Sequence, residues 1–318
     1  MKPKVLLTRT LLPEAMNYLE KHADIKTAGS GLEVTKQEIL SGIKDKQGLL
    51  SLLTETIDRD IIDAAPLKII ANCAVGYNNI DVGYAKSKGI LVTNTPGVLT
   101  DTTADLTWAL ILAAARRIPQ ADSYTRKGLY KRWALDLFLG LEITGKCLGI
   151  VGMGRIGRAV AQRAKAFRME IIYTDTSRLP DEEEKKLEVL FSPLEELLKK
   201  ADIITLHTTL NEETKHLISA ERIALMKRTA LLVNVSRGPV VDERALTEAL
   251  IENRIWGAGL DVYEREPEIE KGLMELDNAV LLPHIGSASV ETRLKMAMMA
   301  AENLVAGLRD ERPPNLVD

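Results

Sequence analysis

Cys147-Leu-Gly-Ile-Val-Gly152-Met-Gly154-Arg-Ile-Gly157 reads as a short apolar strand, a glycine turn and the start of a helix. The helix continues through Arg158-Ala-Val-Ala-Gln-Arg-Ala-Lys-Ala-Phe167, and Glu170-Ile-Ile-Tyr-Thr174 forms a second strand that ends at Asp175. Glycines spaced G-x-G-x-x-G arise by chance in many loops. Here a strand, a helix and an acid about 20 residues downstream accompany them, which completes the dinucleotide-binding fingerprint. Gly152 permits the tight turn, Gly154 lets backbone approach a pyrophosphate, and Gly157 lets the helix pack closely on the sheet. The free N–H groups and positive dipole end of the helix then face the phosphates. Asp175 is placed to accept hydrogen bonds from ribose hydroxyls.

The chain around this motif has 318 residues, 46% hydrophobic and 27% charged, an ordinary soluble composition. That length exceeds what one core usually serves, so two domains are expected. A formal net charge of −3 carries no signature of nucleic acid or of a membrane surface. Cys73 and Cys147 lie in apolar strand-like runs without partner spacing and read as buried thiols in a reducing compartment. Met1-Lys-Pro-Lys4 leads directly into Val5-Leu-Leu-Thr8, leaving no room for a signal peptide. The longest apolar run, Trp108-Ala-Leu-Ile-Leu-Ala-Ala-Ala115, is too short to span a bilayer. A cytoplasmic location is the expectation, and no metal is implied, because no His/Cys/Asp cluster has ligand spacing.

Before the fingerprint, β-like runs at 4–8, 24–27, 48–52, 68–72 and 89–92 alternate with helical patterns at 13–21, 35–42, 58–64 and 81–87. Such alternation predicts a parallel sheet with helices on both faces, here in a flavodoxin-like order. Thr100-Asp-Thr-Thr103 is expected to cap a long apolar helix ending near Arg117, with Pro119 blocking continuation. A loop-rich stretch, 128–145, carries Trp133 and Phe138. A second α/β series follows, with strands at 147–151, 170–174, 202–206, 230–234, 257–260 and 279–282, and a last long helix from about 287 to 308. The acidic run Asp181-Glu-Glu-Glu184 reads as a solvated loop or helix start. The expected class is therefore α/β, with two doubly wound parallel-sheet domains. A Rossmann NAD-binding domain, 100–286, is inserted into a flavodoxin-like substrate domain made of 1–99 and 287–318. Two long helices would cross between the domains, and a ligand would sit in the cleft at strand carboxyl ends.

A dinucleotide beside a second domain suggests hydride transfer, which needs a cation to hold the substrate, an acid/base, and a group to tune that acid/base. Among four histidines, His22 is expected to be exposed near a helix end and His216 to lie at a helix start. His207 and His284 both end strands, where ligands bind. The small residues Ile285-Gly-Ser287 leave room beside the ring of His284, which position favours over His207. Arg237 follows a strand and precedes Gly238, so its planar fork can meet the two oxygens of a carboxylate. Pairing of Arg237 with Asp242 or Glu243 at the surface is the alternative. Glu266 lies in Asp261-Val-Tyr-Glu-Arg-Glu-Pro267 and is not distinguishable there from Glu264 or Glu268.

Four segments together resemble the D-isomer-specific 2-hydroxyacid dehydrogenases. They are Gly152–Gly157, Val233-Asn-Val-Ser-Arg-Gly-Pro-Val-Val-Asp242, Gly259-Leu-Asp-Val-Tyr-Glu-Arg-Glu-Pro267 and Leu282-Pro-His-Ile-Gly286. The likeness covers essentially the whole chain and includes Val75-Gly-Tyr-Asn-Asn-Ile-Asp81 and Thr100-Asp-Thr-Thr-Ala-Asp105. Within that family, Leu49-Leu-Ser-Leu-Leu-Thr54 and Pro313-Pro-Asn-Leu-Val317 are most similar to glyoxylate/hydroxypyruvate reductases. The resemblance implies Arg237, Glu266 and His284 as the catalytic trio. Arg237 would clamp a 2-oxo acid, His284 would donate a proton as imidazolium, and Glu266 would hold the other ring nitrogen and favour the charged ring. It further implies that Thr103, Val235 and Asp261 surround the nicotinamide, with Asp261 accepting from its carboxamide, and that His207 lines the cofactor. Arg155, Ile156, Thr208, Ser236 and Gly286 join the implied cofactor set, while Leu53, Val75 and Gly76 face the substrate.

Charge argues the cofactor. Asp175 would sit against any 2′-phosphate, and close like charges cost about 1–4 kcal/mol at moderate dielectric. NADPH-using relatives carry Ser-Arg where this chain has Asp175-Thr176, so NADH is expected over NADPH, with Arg178 the one nearby cation that opposes the argument. Phosphoglycerate-oxidising relatives carry an arginine just before the Val75 loop, where this chain has Asn72-Cys73-Ala74. Asn78 stands where the family usually has aspartate. A small, uncharged side group follows: glyoxylate or hydroxypyruvate, reduced to the D-2-hydroxy acid. Phosphoglycerate or D-lactate dehydrogenation, and an NAD-sensing corepressor-like binding role, are the competing readings. The helix 104–116 and the stretch 128–145 look more hydrophobic than a monomer's surface, which predicts a homodimer.

Overall fold

The computed structural model describes residues 2–29 and 33–317. The chain divides into two compact units, Met1–Leu99 with Ser287–Asp318, and Thr100–Gly286. In the first unit the elements are β1 (Lys4–Leu7), α1 (Pro13–His22), β2 (Asp24–Thr27), α2 (Lys36–Ile43), β3 (Gly48–Ser51), α3 (Arg59–Asp63), β4 (Ile69–Asn72), α4 (Val82–Ser87) and β5 (Leu91–Thr93). Its sheet is parallel in the order β2-β1-β3-β4-β5, the flavodoxin-like arrangement. The second unit holds α5 (Thr100–Ala115), α6 (Ile118–Arg126), β6 (Cys147–Val151), α7 (Arg155–Ala164), β7 (Glu170–Thr174), α8 (Asp181–Leu187), β8 (Val189–Phe191) and α9 (Leu194–Lys200). It continues with β9 (Ile203–Leu206), α10 (Ala220–Ala224), β10 (Leu231–Asn234), α11 (Glu243–Ile251), β11 (Gly257–Leu260) and β12 (Ala279–Leu281). Helix α12 (Val290–Leu308) returns to the first unit. The second sheet is also parallel, in the order β12-β11-β10-β9-β6-β7-β8.

Both sheets are covered on both faces, which is why their strands are continuous apolar runs rather than alternating ones. Val5 and Leu7 of β1 join the core built with Leu19 of α1 and Leu304 of α12, while Leu6 between them joins Ile39, Ile61 and Ala85 on the other face. Leu148 and Ile150 of β6 pack with α5 and α7, whereas Cys147 and Val151 meet Leu197 of α9 and Leu246 of α11.

The local readings differ from the structure in several places. Strand β8 is a seventh strand in the second sheet; three residues long with Leu190 and Phe191 exposed, it has too little apolar pattern to read. Pro119 ends one helix but also opens α6 at its first turn, the position where a missing N–H costs nothing. Helix α5 begins at Thr100 itself, so Asp101–Thr103 form its first turn rather than a cap. Its Trp108, Leu110 and Ile111 are buried inside their own unit, so this helix is not the exposed apolar surface that its composition suggested. His22 is half-buried against Tyr18 and Arg309. His216 lies in a turn, and Ser219 is the residue that caps α10. The acidic run opens α8, but Glu184 is buried, bonded to the Tyr173 hydroxyl at 2.6 Å.

Candidate active site

Strand order does the assembling in the second unit. Arg237 follows β10, Glu266 follows β11 and His284 follows β12, three strands that lie side by side in register Asn234↔Leu260↔Leu281. Their carboxyl ends therefore present three loops along one edge. His284, at φ 56°, turns its Nδ1 to Glu266 Oε2 at 2.8 Å. The other Glu266 oxygen accepts the Tyr263 N–H at 3.0 Å. Burial pushes the Glu266 carboxyl up, yet the His284 bond and charge, the Tyr263 N–H and the Arg237 charge outweigh it and leave the group below its ordinary range. Arg237 lies largely buried just after β10, with the Glu266 charge acting on it. Burial lowers its guanidinium while the Glu266 charge opposes that, and Asp242 caps α11 through the Ala245 N–H.

Neighbouring side chains fix these loops. Asp261, 1% exposed, accepts the N–H groups of Ile285 and Gly286, each at 2.7 Å, so it anchors the turn that carries His284. Burial raises its carboxyl against those two bonds and the His284 charge. Thr103 donates to the Gly286 carbonyl at 3.1 Å. Asn234 accepts from the Ser236 N–H and hydroxyl and donates to the Arg237 carbonyl, folding the turn after Val235. Gly238 must be glycine: a Cβ there would lie 1.8 Å from the Tyr263 carbonyl oxygen.

The glycine turn sits farther along the same edge, where chain direction across the sheet reverses between β6 and β9. Ligands of open α/β sheets bind at this kind of switch point. Gly152 has φ 95°, and a Cβ on it would strike His207 backbone at 2.7 Å; one on Gly157 would meet the Gly152 carbonyl at 2.2 Å. At Gly154, by contrast, no described heavy atom comes within 4 Å of a Cβ position. That residue caps α7 without a side chain, which leaves the first-turn N–H groups beside Arg155 and Ile156 open to an anion. Asp175 Oδ2 accepts the Met153 N–H at 2.6 Å. Among the described residues, His207 Nδ1 and the Thr208 hydroxyl are buried without a partner next to this turn. Burial pushes His207 down to about 3, so its ring is neutral near pH 7 and is no source of a proton. An open cradle at Gly154, an uncapped helix start and two orphaned polar atoms fit a dinucleotide.

Leu53, Val75 and Gly76 belong to the first unit, in loops after β3 and β4. Asn72 donates to the Gly76 carbonyl and Asn94 to that of Val75, both at 2.8 Å. Asn79 donates to the carbonyls of Leu52 and Glu55, each at 3.0 Å, and ties the two loops together. Glu55, also buried, accepts from Thr8 and the Leu52 N–H. The reading of the residues missed Asn79, Glu55 and Asn234. An Asn two residues before Ser236, closing a strand, is a legible turn signal; Asn79 and Glu55 have partners too distant in sequence to leave one.

An edge of this composition defines a dinucleotide-binding oxidoreductase. The family model for the NAD-binding domain of the D-isomer specific 2-hydroxyacid dehydrogenases matches residues 108–286, and the chain belongs to that family. A protein named glyoxylate reductase from Korarchaeum cryptofilum is 51% identical over 100% of this chain and 96% of its own length. Among solved structures, the TT0316 protein of Thermus thermophilus superposes with a TM-score of 0.93 at 46% identity, covering 99% of this chain and 100% of that one. An NADPH-dependent glyoxylate/hydroxypyruvate reductase of Sinorhizobium meliloti, solved with NADP and malonate, gives 0.88 at 32% identity over 100% of this chain and 97% of that one.

Proposed function

We propose that the protein reduces glyoxylate or hydroxypyruvate to the D-2-hydroxy acid with NADH. The carrying observation is the 2.8 Å contact between His284 and Glu266 on the strand end next to Arg237. Arg237 clamps the carboxylate of the 2-oxo acid and polarises its carbonyl, a role suited to a planar, permanently charged fork. A reduced dinucleotide, with its pyrophosphate held at the glycine turn and its nicotinamide among Thr103, Val235 and Asp261, would supply the hydride. His284 gives its Nε2 proton to the carbonyl oxygen as negative charge develops there, because its Nδ1 is committed to Glu266. Glu266 keeps the ring oriented by holding its Nδ1. Asp261 and Thr103 hold the 284–286 turn, and Leu53, Val75 and Gly76 are proposed substrate contacts after β3 and β4. The name that the 51% identical relative carries, glyoxylate reductase, supports the choice of substrate.

The preference for NADH rests on Asp175 at the end of β7. Arg178, the cation that would offset it, is engaged by Glu184 through two bonds of 2.9 and 2.7 Å. The Sinorhizobium meliloti relative holds NADP, so the choice has to be measured. Initial rates with glyoxylate, hydroxypyruvate, pyruvate and 3-phosphohydroxypyruvate, each with NADH and NADPH, test both parts. Higher kcat/KM for the first two acids with NADH is expected; no turnover of either, or equal rates with NADPH, overturns the corresponding part. We also propose a homodimer formed through the 128–145 stretch, working in the cytoplasm. Among the described residues, no helix is long and apolar enough to cross a membrane.

A further inference from the structure

The loop that carries Glu266 is gripped by a carboxylate with no part in the chemistry above. Glu243, the first residue of α11, is 7% exposed. Its Oε2 accepts the Glu264 N–H at 2.6 Å and its Oε1 the Glu270 N–H at 2.7 Å. One side chain thus holds the backbone on both sides of Glu266. Glu264 returns the contact: its Oε2 accepts the Glu243 N–H at 3.3 Å, and its Oε1 meets His216 Nε2 at 2.8 Å. The backbone N–H of His216 donates to the Pro239 carbonyl at 2.7 Å, two residues beyond Arg237.

The chemistry of the loop explains why a charge is needed there. Residues 264–270 are Glu-Arg-Glu-Pro-Glu-Ile-Glu, a polar loop in which Ile269 supplies the packing against the apolar core. Two N–H donors converging on one acceptor pair suit an ionised carboxylate, whose two oxygens only accept. An amide at that point would aim its own NH2 at one of those donors. A carboxylate half an ångström out of place no longer holds an imidazole in line.

We infer that Glu243 is a positioning residue for the reaction, fixing the Glu266 carboxylate against His284 by clamping the Glu264 and Glu270 N–H groups. The inference rests on the proposed roles of His284 and Glu266. The test compares Glu243→Gln, Glu266→Gln and the double variant by kcat, NADH affinity, melting temperature and the pH profile of kcat/KM with glyoxylate. Glu243→Gln should lower kcat about 10- to 100-fold, the scale of a misplaced catalytic group. Its alkaline limb should move to lower pH in the same direction as that of Glu266→Gln, with NADH affinity preserved. The double variant should be no slower than Glu266→Gln alone. Losses that multiply, or a slower enzyme with an unmoved pH profile, overturn the inference and leave Glu243 a fold-holding residue. If Glu266→Gln itself leaves turnover and pH profile intact, the reading of the site fails instead. Should Glu243→Gln not fold, Glu243→Asp keeps the charge and shortens the reach: a smaller shift of the same sign supports the clamp, and an unmoved profile overturns it.

Discussion

His284 and Glu266 carry the sharpest residue-scale expectation. Glu266 lies below its ordinary range because the His284 bond and charge, the Tyr263 N–H and Arg237 outweigh its burial, so it stays ionised through neutrality and holds the ring. His284→Gln keeps a side chain of similar reach but no proton to give, and kcat should fall about 10²- to 10⁴-fold with little change in NADH binding. Turnover that survives this substitution at all pH values would remove His284 as the donor. The glycines separate folding from cofactor binding. Gly154→Ala meets open space at an extended φ of −72° and should leave the melting temperature unchanged while weakening NADH binding by about tenfold, or 1.4 kcal/mol. Gly152→Ala strikes His207 backbone at φ 95° and should lower stability as well. A Gly154→Ala protein with unaltered NADH affinity would mean that the dinucleotide does not approach that backbone.

Between elements, α8 is fastened to β7 by a charged cluster whose sequence has the pattern of a solvated loop or helix start. Glu184 accepts from Tyr173 and Arg178, and Arg178 also lies over the Phe191 ring of β8. The Arg178 bonds, then the Tyr173 hydroxyl, hold Glu184 down to about 2 from an ordinary 4.5. A depressed carboxyl stabilises the fold fully above its unfolded value and loses that contribution as pH falls through its folded one. Thermal melts of the wild type and Glu184→Gln should therefore differ most above pH 5, and converge as pH drops from about 4.5 toward 2. A constant difference across that range would mean that the charge of Glu184 is not what docks α8. Releasing Arg178 in this variant also frees a cation beside Asp175, so the NADPH/NADH ratio of kcat/KM should rise. Elements of this kind were only half legible. The helix start was readable from Asp181-Glu-Glu-Glu184, but the burial of its fourth acid depends on Tyr173 and Arg178, and β8 on having β7 beside it.

For the molecule as a whole, the apolar helix and the aromatic-bearing stretch part company. Helix α5 spends its apolar residues on its own core, whereas Trp133 is 73% and Leu135 80% exposed, with Leu129, Tyr130 and Leu139 close by in sequence and also exposed. Exposed apolar segments of this extent mark association surfaces. Sedimentation should give twice the 35.1 kDa chain mass, and Leu135→Glu should shift the population toward monomer. A mass of one chain at micromolar concentration would refute the dimer.

Sequence alone determined the two α/β series, the glycine turn and the chemical types at strand ends, because hydrophobic runs, glycine geometry and helix starts are local physics. Tertiary structure alone decided that β10, β11 and β12 are neighbours, which brings Glu266 and His284 to 2.8 Å although 18 residues separate them. It also decided that Asp261 secures the His284 turn and that Glu243, which the sequence offers only as an alternative surface partner of Arg237, grips the Glu266 loop. Those contacts are set by strand order and by which buried N–H groups converge on one carboxylate. Neither is encoded within any single stretch of chain.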